Sequence, residues 1–194
     1  MSQDYFNEKA AIWDETAIEK DTAKLADIVA RMHLLPGSFL LDVGTGTGVL
    51  LPFLIGAIGP SGRIVGLDYA AAMLQRARTK NPGNNVSLVL ANIVSVPVVS
   101  GFFDAIVCYS SFPHFHDKTG VLTEMRRVLK SGGRLFICHT SGRDHINAIH
   151  IKVSSLGHDL LPGKNEMESL LENAGFKNIQ IEDEKDSYFA VGEN

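Results

Sequence analysis

The sequence predicts an α/β fold built on a doubly wound, mostly parallel sheet, and three observations carry that expectation. Short continuous apolar runs alternate with helix-length segments from about residue 38 onward, as strands buried on both faces by crossover helices require. An acid followed by glycines at alternate positions stands where the first such run meets the next helix, in "LLDVGTGTGVL", Leu40 to Leu50. The last thirty or so residues change character, giving a helix and then two strand-like runs joined by a charged turn. The count reaches seven strands in one domain spanning residues 1–194, with a C-terminal antiparallel hairpin.

Each element follows from its residues. "SFLLDV" is a buried strand, and "GVLLPFLIGAIG" a helix that tolerates Pro52 in its first turn. "GRIVGLD" is a second strand ending in an acid, and "AAAMLQRARTK" is a strong helix former with basic residues at its end. "NVSLVLAN" and "FFDAIVCYS" supply the third and fourth strands. "KTGVLTEMRRVLK" is an amphipathic helix expected to stop at Ser131, Gly132 and Gly133, before the fifth strand "GRLFICHT". Two segments fall outside the repeat. Residues 1–36 read as helices with an apolar face of Leu25, Ile28, Val29 and Met32, and form a lid or an anchor. Residues 141–162 are an insertion with a further helix, expected to contribute to a substrate pocket.

Composition narrows the function. The chain has 194 residues, 45% hydrophobic and 21% charged, with a formal net charge of −4. No basic cluster or recognition domain suggests a nucleic-acid binder, and no apolar run approaches the roughly 18 residues of a membrane span. The first ten residues lack the basic and apolar regions of a signal peptide. Cys108 and Cys138 each sit inside an apolar run, which fits reduced thiols in a cytoplasmic protein. A monomer or homodimer acting on a small molecule is expected.

In a doubly wound sheet, ligands bind at the carboxyl ends of the strands where strand order reverses. Glycines there leave room for a ligand, and exposed backbone N–H groups can face it. A dinucleotide and a nucleoside with an amino-acid tail both suit such a loop. The dinucleotide fingerprint wants G-x-G-x-x-G, yet the chain has Gly44, Gly46 and Gly48 followed by Val49. Asp42 would repel a pyrophosphate and attract an ammonium group. The loop leans toward the cationic nucleoside.

"LLDVGTGTGVL" resembles the first motif of the class I S-adenosylmethionine-dependent methyltransferases. "VGLDYAAAML", "ANIVSVPVVSGFFDAIVCYSSFPHF" and "EMRRVLKSGGRLFI" resemble later motifs of that family, in order and register. The resemblance is close over residues 36–140 and implies a Rossmann-like methyltransferase fold, S-adenosyl-L-methionine as cofactor and S-adenosyl-L-homocysteine as product. It implies cofactor contacts from Asp42, Gly44, Gly46 and Gly48. Asp68 is expected at the ribose hydroxyls while also capping a helix. Tyr69 flanks the adenine, Asn92 and Ile93 contact it, and Tyr109 lies nearer the sulfonium. Asn92 departs from the acid usual at its position, leaving a neutral amide oxygen as acceptor. Met73 reads equally as core, and Asp104 as structural.

Tyr5, Phe6 and Trp13 precede any strand and fit a lid over the cofactor or an anchor. Of seven histidines, His33 reads as surface. His114, His139 and His145 are expected to line the acceptor pocket, with His116 and His150 nearby. His114 and His145 are the candidates for a catalytic base. No metal is expected, since His145 and His150 are about 140° apart around a helix and no cysteine or acid completes a ligand set. The loop "SSFPHFH" and the insertion "GRDHINAIH" should form opposite walls of the pocket. The function this implies is in-line methyl transfer to a small-molecule acceptor. A non-catalytic S-adenosylmethionine-binding protein and a nicotinamide-dependent oxidoreductase are the alternatives.

Overall fold

The computed structural model describes residues 3–16, 21–153 and 156–194. The remaining residues of the N-terminal segment and of the 141–162 insertion lie outside the described residues. The elements in chain order are α1 (Gln3–Lys9), α2 (Trp13–Thr16), α3 (Thr22–Arg31), β1 (Phe39–Val43), α4 (Leu51–Ile58), β2 (Arg63–Asp68), α5 (Ala71–Thr79), β3 (Val86–Leu90), β4 (Phe103–Tyr109), α6 (Lys118–Val128), β5 (Leu129–His139), α7 (Arg143–Lys152), α8 (Lys164–Asn173), β6 (Lys177–Asp183) and β7 (Tyr188–Glu193).

The strands form one sheet in the order β3-β2-β1-β4-β5-β7-β6. β1 pairs in parallel with β2 on one side and β4 on the other, so strand order reverses there and opens a crevice beyond Val43 and Tyr109. β7 runs antiparallel between β5 and β6, as the charged turn before it predicts.

The central strands β1 and β4 are largely apolar because both faces are covered, whereas the edge strand β6 carries polar, exposed residues. Leu40, Ile64, Val107 and Phe136 pack into one cluster with Leu25, Ile28 and Val29 of α3 and Leu51 and Leu54 of α4. Leu41, Val43, Ile106 and Ile137 pack on the other face with Leu122 and Met125 of α6 and Met167 and Leu171 of α8. The apolar face predicted for the N-terminal segment is therefore core, and Asp21 fixes the start of α3 by accepting from the N–H groups of Ala23 and Lys24. Phe6 and Ala10 form a separate small cluster with Ala70 and Met73 of the α5 region.

One boundary differs from expectation. α6 ends at Val128, and β5 begins at the next residue instead of after Gly133. Leu129 pairs with Phe103 and Arg134 with Ala105, so residues 130–133 bulge opposite Asp104 alone. The bulge is held by Asn194, whose carbonyl accepts from Gly132 N–H and whose N–H donates to Gly133. Helix propensity carries the sequence pattern past Val128, but burial of Leu129 beside Phe103 decides the outcome.

Asp104 is structural, as its position suggests. One carboxylate oxygen accepts from Phe39 N–H at 2.8 Å and the other from Lys130 Nζ at 2.6 Å, tying the start of β1 to β4 and the bulge. Asp104→Ala should lower the unfolding free energy by about 1–2 kcal/mol, because a charge-assisted bond to Phe39 is lost. Lys130→Ala should cost less than about 1 kcal/mol, since its ion pair is half exposed to solvent. Urea denaturation of the two variants separates these values.

Candidate functional site

The crevice beyond β1 and β4 opens into a cavity of about 900 Å³. Its floor is the loop between β1 and α4. The N–H groups of Gly44 and Thr45 both donate to Leu67 O, which folds the chain sharply back over the end of β2. Gly44, Gly46 and Gly48 all have positive φ, a region that side chains with a Cβ disfavour. Their surroundings differ. A Cβ on Gly44 would strike Ser111, whereas one on Gly46 would meet nothing closer than 3.9 Å. Gly46 lines the cavity, so a side chain there would occupy ligand space.

Gly48 is a correction to the predicted binding set, because it does not line the cavity. A Cβ on it would lie 2.9 Å from Leu51 and 3.4 Å from Ala77, so this glycine serves the close packing of α4 against α5. The expectation that glycine N–H groups face a ligand also fails. Gly44 donates to Leu67 O, Gly46 to Asp68 Oδ2 and Gly48 to Thr45 O. The loop offers a ligand room, while its glycine N–H groups hold the loop together.

Asp42 and Asp68 end adjacent strands and are 2% and 6% exposed. Burial pushes the Asp42 carboxyl up to about 7; Thr45, donating from Oγ1 at 2.6 Å, opposes the shift and the nearby Asp68 charge adds to it. Burial also raises Asp68, against the N–H donors of Ala70, Gly46 and Tyr69. Asp68 is not the cap of α5: Ala70 occupies that position without a side-chain bond. The two Asp68 oxygens accept from Gly46 N and Ala70 N, each at 2.8 Å, so this acid locks the glycine loop to the end of β2. Both acids line the cavity and concentrate negative charge there.

Asn92 and Ile93 line the cavity beyond Asp68. The Asn92 side-chain oxygen accepts from Val94 N–H at 3.2 Å, which holds it in place and leaves one lone pair for a ligand. Ile93 is buried. Tyr69 lines the same end, its phenol pushed up to about 12 by burial and by the charges of Asp68 and Asp159. Tyr109 lines the cavity from the end of β4, and its hydroxyl bonds Thr140 Oγ1 at 3.0 Å. Met73 is both core and lining.

The N-terminal residues form the roof. Tyr5, Phe6 and Trp13 line the cavity, and the Phe6 ring stands edge-on to Tyr69, Trp13 and His114. Asn7 accepts from Ala72 N–H, Gln3 donates to Tyr69 O, and Asp14 accepts from Thr47 Oγ1 and Lys80 Nζ. α3 is anchored in the core, whereas α1 packs against the start of α5 and α2 reaches the glycine loop through Asp14 and Thr47. Sequence reasoning missed Asp14, Thr45 and Thr47. The spacing Asp42-x-x-Thr45 was a readable signal for a hydroxyl-to-carboxylate turn; Asp14 had none.

His114, His116, His139, His145 and His150 all line the cavity. His114 and His139 are well buried, while His116 and His145 are exposed at its mouth. The two loops expected to face each other across the pocket instead meet, since the His114 and His150 rings are 4.9 Å apart. Asp159, absent from the sequence reading, joins them: its carboxylate lies 3.1 Å from His114 Nδ1, and its carbonyl accepts from His150 Nδ1. Burial lowers the His114 imidazole, against the Asp159 hydrogen bond. His33 is exposed, as expected.

A family model described as a methyltransferase domain matches residues 41–137, half of the chain. The chain is 34% identical over 119 residues to a demethylmenaquinone methyltransferase of Lactococcus lactis subsp. lactis (strain IL1403), covering 60% of this chain and 47% of that protein, about half its length. It is 29% identical over 181 residues to a demethylmenaquinone methyltransferase of Oceanobacillus iheyensis, covering 80% and 76%. A SAM-dependent methyltransferase structure from Aquifex aeolicus superposes with a TM-score of 0.72 at 20% identity, covering 99% of this chain and 98% of that one. The YcgJ protein of Bacillus subtilis gives 0.71 at 19% identity, covering 83% and 70%. Both share the fold.

The Asp42 electrostatics are testable without ligand. Its folded-state pKa lies above the unfolded value of 3.8, so its contribution to stability declines as pH rises from about 4 to about 7 and then levels off. Asp42→Asn keeps an oxygen for Thr45 and removes the titration. The ligand-free variant should be more stable than the parent by on the order of 2–4 kcal/mol at pH 8, with the difference vanishing near pH 4. Urea unfolding across that range checks it.

Proposed function

Because the chain belongs to the methyltransferase-domain family and is an S-adenosylmethionine-dependent methyltransferase, we propose that the cavity beyond β1 and β4 holds this cofactor at the glycine-loop end and a small, largely apolar acceptor at the histidine end. The observation that carries this reading is continuity. One cavity is lined by Asp42, Gly46, Asp68 and Asn92 and also by Phe6, His114, Ile146 and His150.

The donor set fits the cofactor part by part. Gly46 leaves space that a Cβ would fill. Asp42, buried and bonded to the neutral Thr45 hydroxyl, suits the ammonium of the methionyl tail. Asp68 retains acceptor capacity for a ribose hydroxyl while it holds the loop. Asn92 and Ile93 suit the adenine amino edge and ring face, with Tyr69 beside them. Gly44 supports this end by allowing the close approach of Ser111, and Tyr109 borders the space between cofactor and acceptor. Bound S-adenosylmethionine supplies a methyl group on a sulfonium, already a good leaving group. The protein's work is to align the acceptor and exclude water, which the aromatic roof of Tyr5, Phe6 and Trp13 serves.

The acceptor end is walled by aromatic and aliphatic side chains, with His114, His139 and His145 as polar groups that orient it. The relatives named for demethylmenaquinone support a quinone-class acceptor as the first to test. Among the described residues no helix is long and apolar enough to cross a membrane. Cys108 and Cys138, buried and not joined in a disulfide, support a cytoplasmic protein.

Calorimetry with S-adenosylhomocysteine tests the cofactor half. The parent should bind it and show no heat with NAD. Asp68→Ala should weaken binding by on the order of 2–4 kcal/mol, since it removes charged acceptors and frees the loop. Asn92→Ala should cost less, about 1 kcal/mol, because a neutral amide is lost and water can replace it. Gly48→Ala should lower the melting temperature and leave the affinity of the folded protein near the parent's. Tight NAD binding without any response to S-adenosylhomocysteine would contradict the assignment.

A further inference from the structure

Asp159 is 3% exposed, lies outside the cavity lining, and is placed to control two residues that are in it. Its Oδ2 is 3.1 Å from His114 Nδ1 and its carbonyl oxygen is 2.5 Å from His150 Nδ1. A carboxylate and a carbonyl only accept, so each neutral imidazole must carry its hydrogen on Nδ1. Each Nε2 then keeps its lone pair. The rings lie 4.9 Å apart with a 36° tilt, and the His114 side chain is only 11% exposed. Phe6 stands against the His114 ring at 5.3 Å, so this nitrogen works beside an aromatic surface.

Burying a carboxylate is costly even when it is hydrogen-bonded, and replacing a buried polar pair by well-packed neutral residues is often neutral or stabilising. A neutral residue would fill this space at lower cost if packing were the only requirement. The other charged and titratable groups facing this cluster are His139 at the end of β5, Tyr69 beyond β2 and Lys118 at the start of α6. Glu166 of α8 acts on Lys118 in turn. Lys118 is itself held by the carbonyls of Pro113 and Phe115, which leaves His114 as the direct partner of the Asp159 carboxylate.

Resting on the methyl-transfer reading above, we propose that His114 Nε2 is the base that deprotonates a phenolic acceptor, and that Asp159 is the positioning residue that fixes His114 in the Nδ1–H tautomer. The acceptor O–H bond breaks and its proton passes to Nε2. The electron pair of the phenolate forms the new bond to the methyl carbon as the carbon–sulfur bond breaks, its pair going to sulfur. The positive charge moves from sulfonium to imidazolium, where Asp159 stabilises it, and the proton then leaves to solvent. A phenolic ring suits both the aromatic walls and a weak neutral base, which an unactivated alcohol would not.

The test uses the full chain with nitrogen-15-labelled histidine, saturated with S-adenosylhomocysteine. Nuclear magnetic resonance should show His114 protonated at Nδ1 and bare at Nε2 above neutral pH. Methyl transfer is followed by mass with naphthohydroquinone and naphthol as probes. The parent's kcat should rise with pH through the His114 titration and then level off. His114→Gln should lower kcat by about 100-fold or more while keeping S-adenosylhomocysteine affinity within about twofold. Asp159→Asn should lower kcat by about 10-fold or more and move the pH midpoint down, with Asp159→Glu recovering part of both. An Nε2–H tautomer in the parent, an unmoved pH profile in Asp159→Asn, or no methylated product from either probe in a parent that binds S-adenosylhomocysteine would overturn the proposal. A parent that fails to bind S-adenosylhomocysteine would overturn the cofactor assignment instead.

Discussion

Two buried carboxyl groups at the ends of neighbouring strands organise this molecule. Asp42 and Asp68 sit where β1 and β2 stop, in a place where burial disfavours the charge of both and the Asp68 charge raises Asp42 further. Such a pair persists only if its surroundings compensate. Thr45 donates to Asp42, and the N–H groups of Gly46 and Ala70 donate to Asp68. These bonds define the glycine loop. The acids therefore do two things at once: they shape the loop that leaves room for a ligand, and they set two buried carboxyl groups on the cavity wall.

The rest of the fold positions that pair. Parallel pairing of β1 with both β2 and β4 places the two acids, Asn92 and Tyr109 on one rim of the sheet. Helices α3 and α4 on one face and α6 and α8 on the other bury the strands, so the rim is rigid where the chemistry needs fixed distances. Much of the remaining cavity lining comes instead from segments added to this frame. α1 and α2 roof the cavity, and α7 with the following loop brings His150 and Asp159 to His114. The acidic, glycine-lined part of the cavity thus sits on strand ends, and much of its opposite wall on peripheral helices and loops.

What the sequence made legible follows from how local each signal is. The strand–helix alternation, the acid before the glycines and Asp68 at the next strand end are local patterns, and the fold, the cavity floor and the cofactor class could be read from them. What the spacing does not reveal is that Gly48 is hemmed in by Leu51 and by Ala77 of the next helix and lies outside the cavity lining. The start of β5 was misplaced because Lys130 to Gly133 look like a helix stop, while the pairing of Leu129 with Phe103 is decided across the sheet. Asp68 looked like a helix cap because acids before helices usually are, yet its oxygens are taken by Gly46 and Ala70. Asp159 was invisible, since nothing near "GHDLLP" marks an acid whose partners lie in two other segments.

The central claim is that the acidic strand ends hold the cofactor and the histidine wall holds the acceptor. A crystal structure of the S-adenosylhomocysteine complex tests it most directly. The account predicts the homocysteine ammonium beside Asp42, the ribose hydroxyls on Asp68, the adenine between Tyr69 and Ile93, and the sulfur turned toward His114 across the open part of the cavity. A ligand bound outside the glycine loop, or one with its adenine against His114 and its sulfur at Asn92, would contradict it.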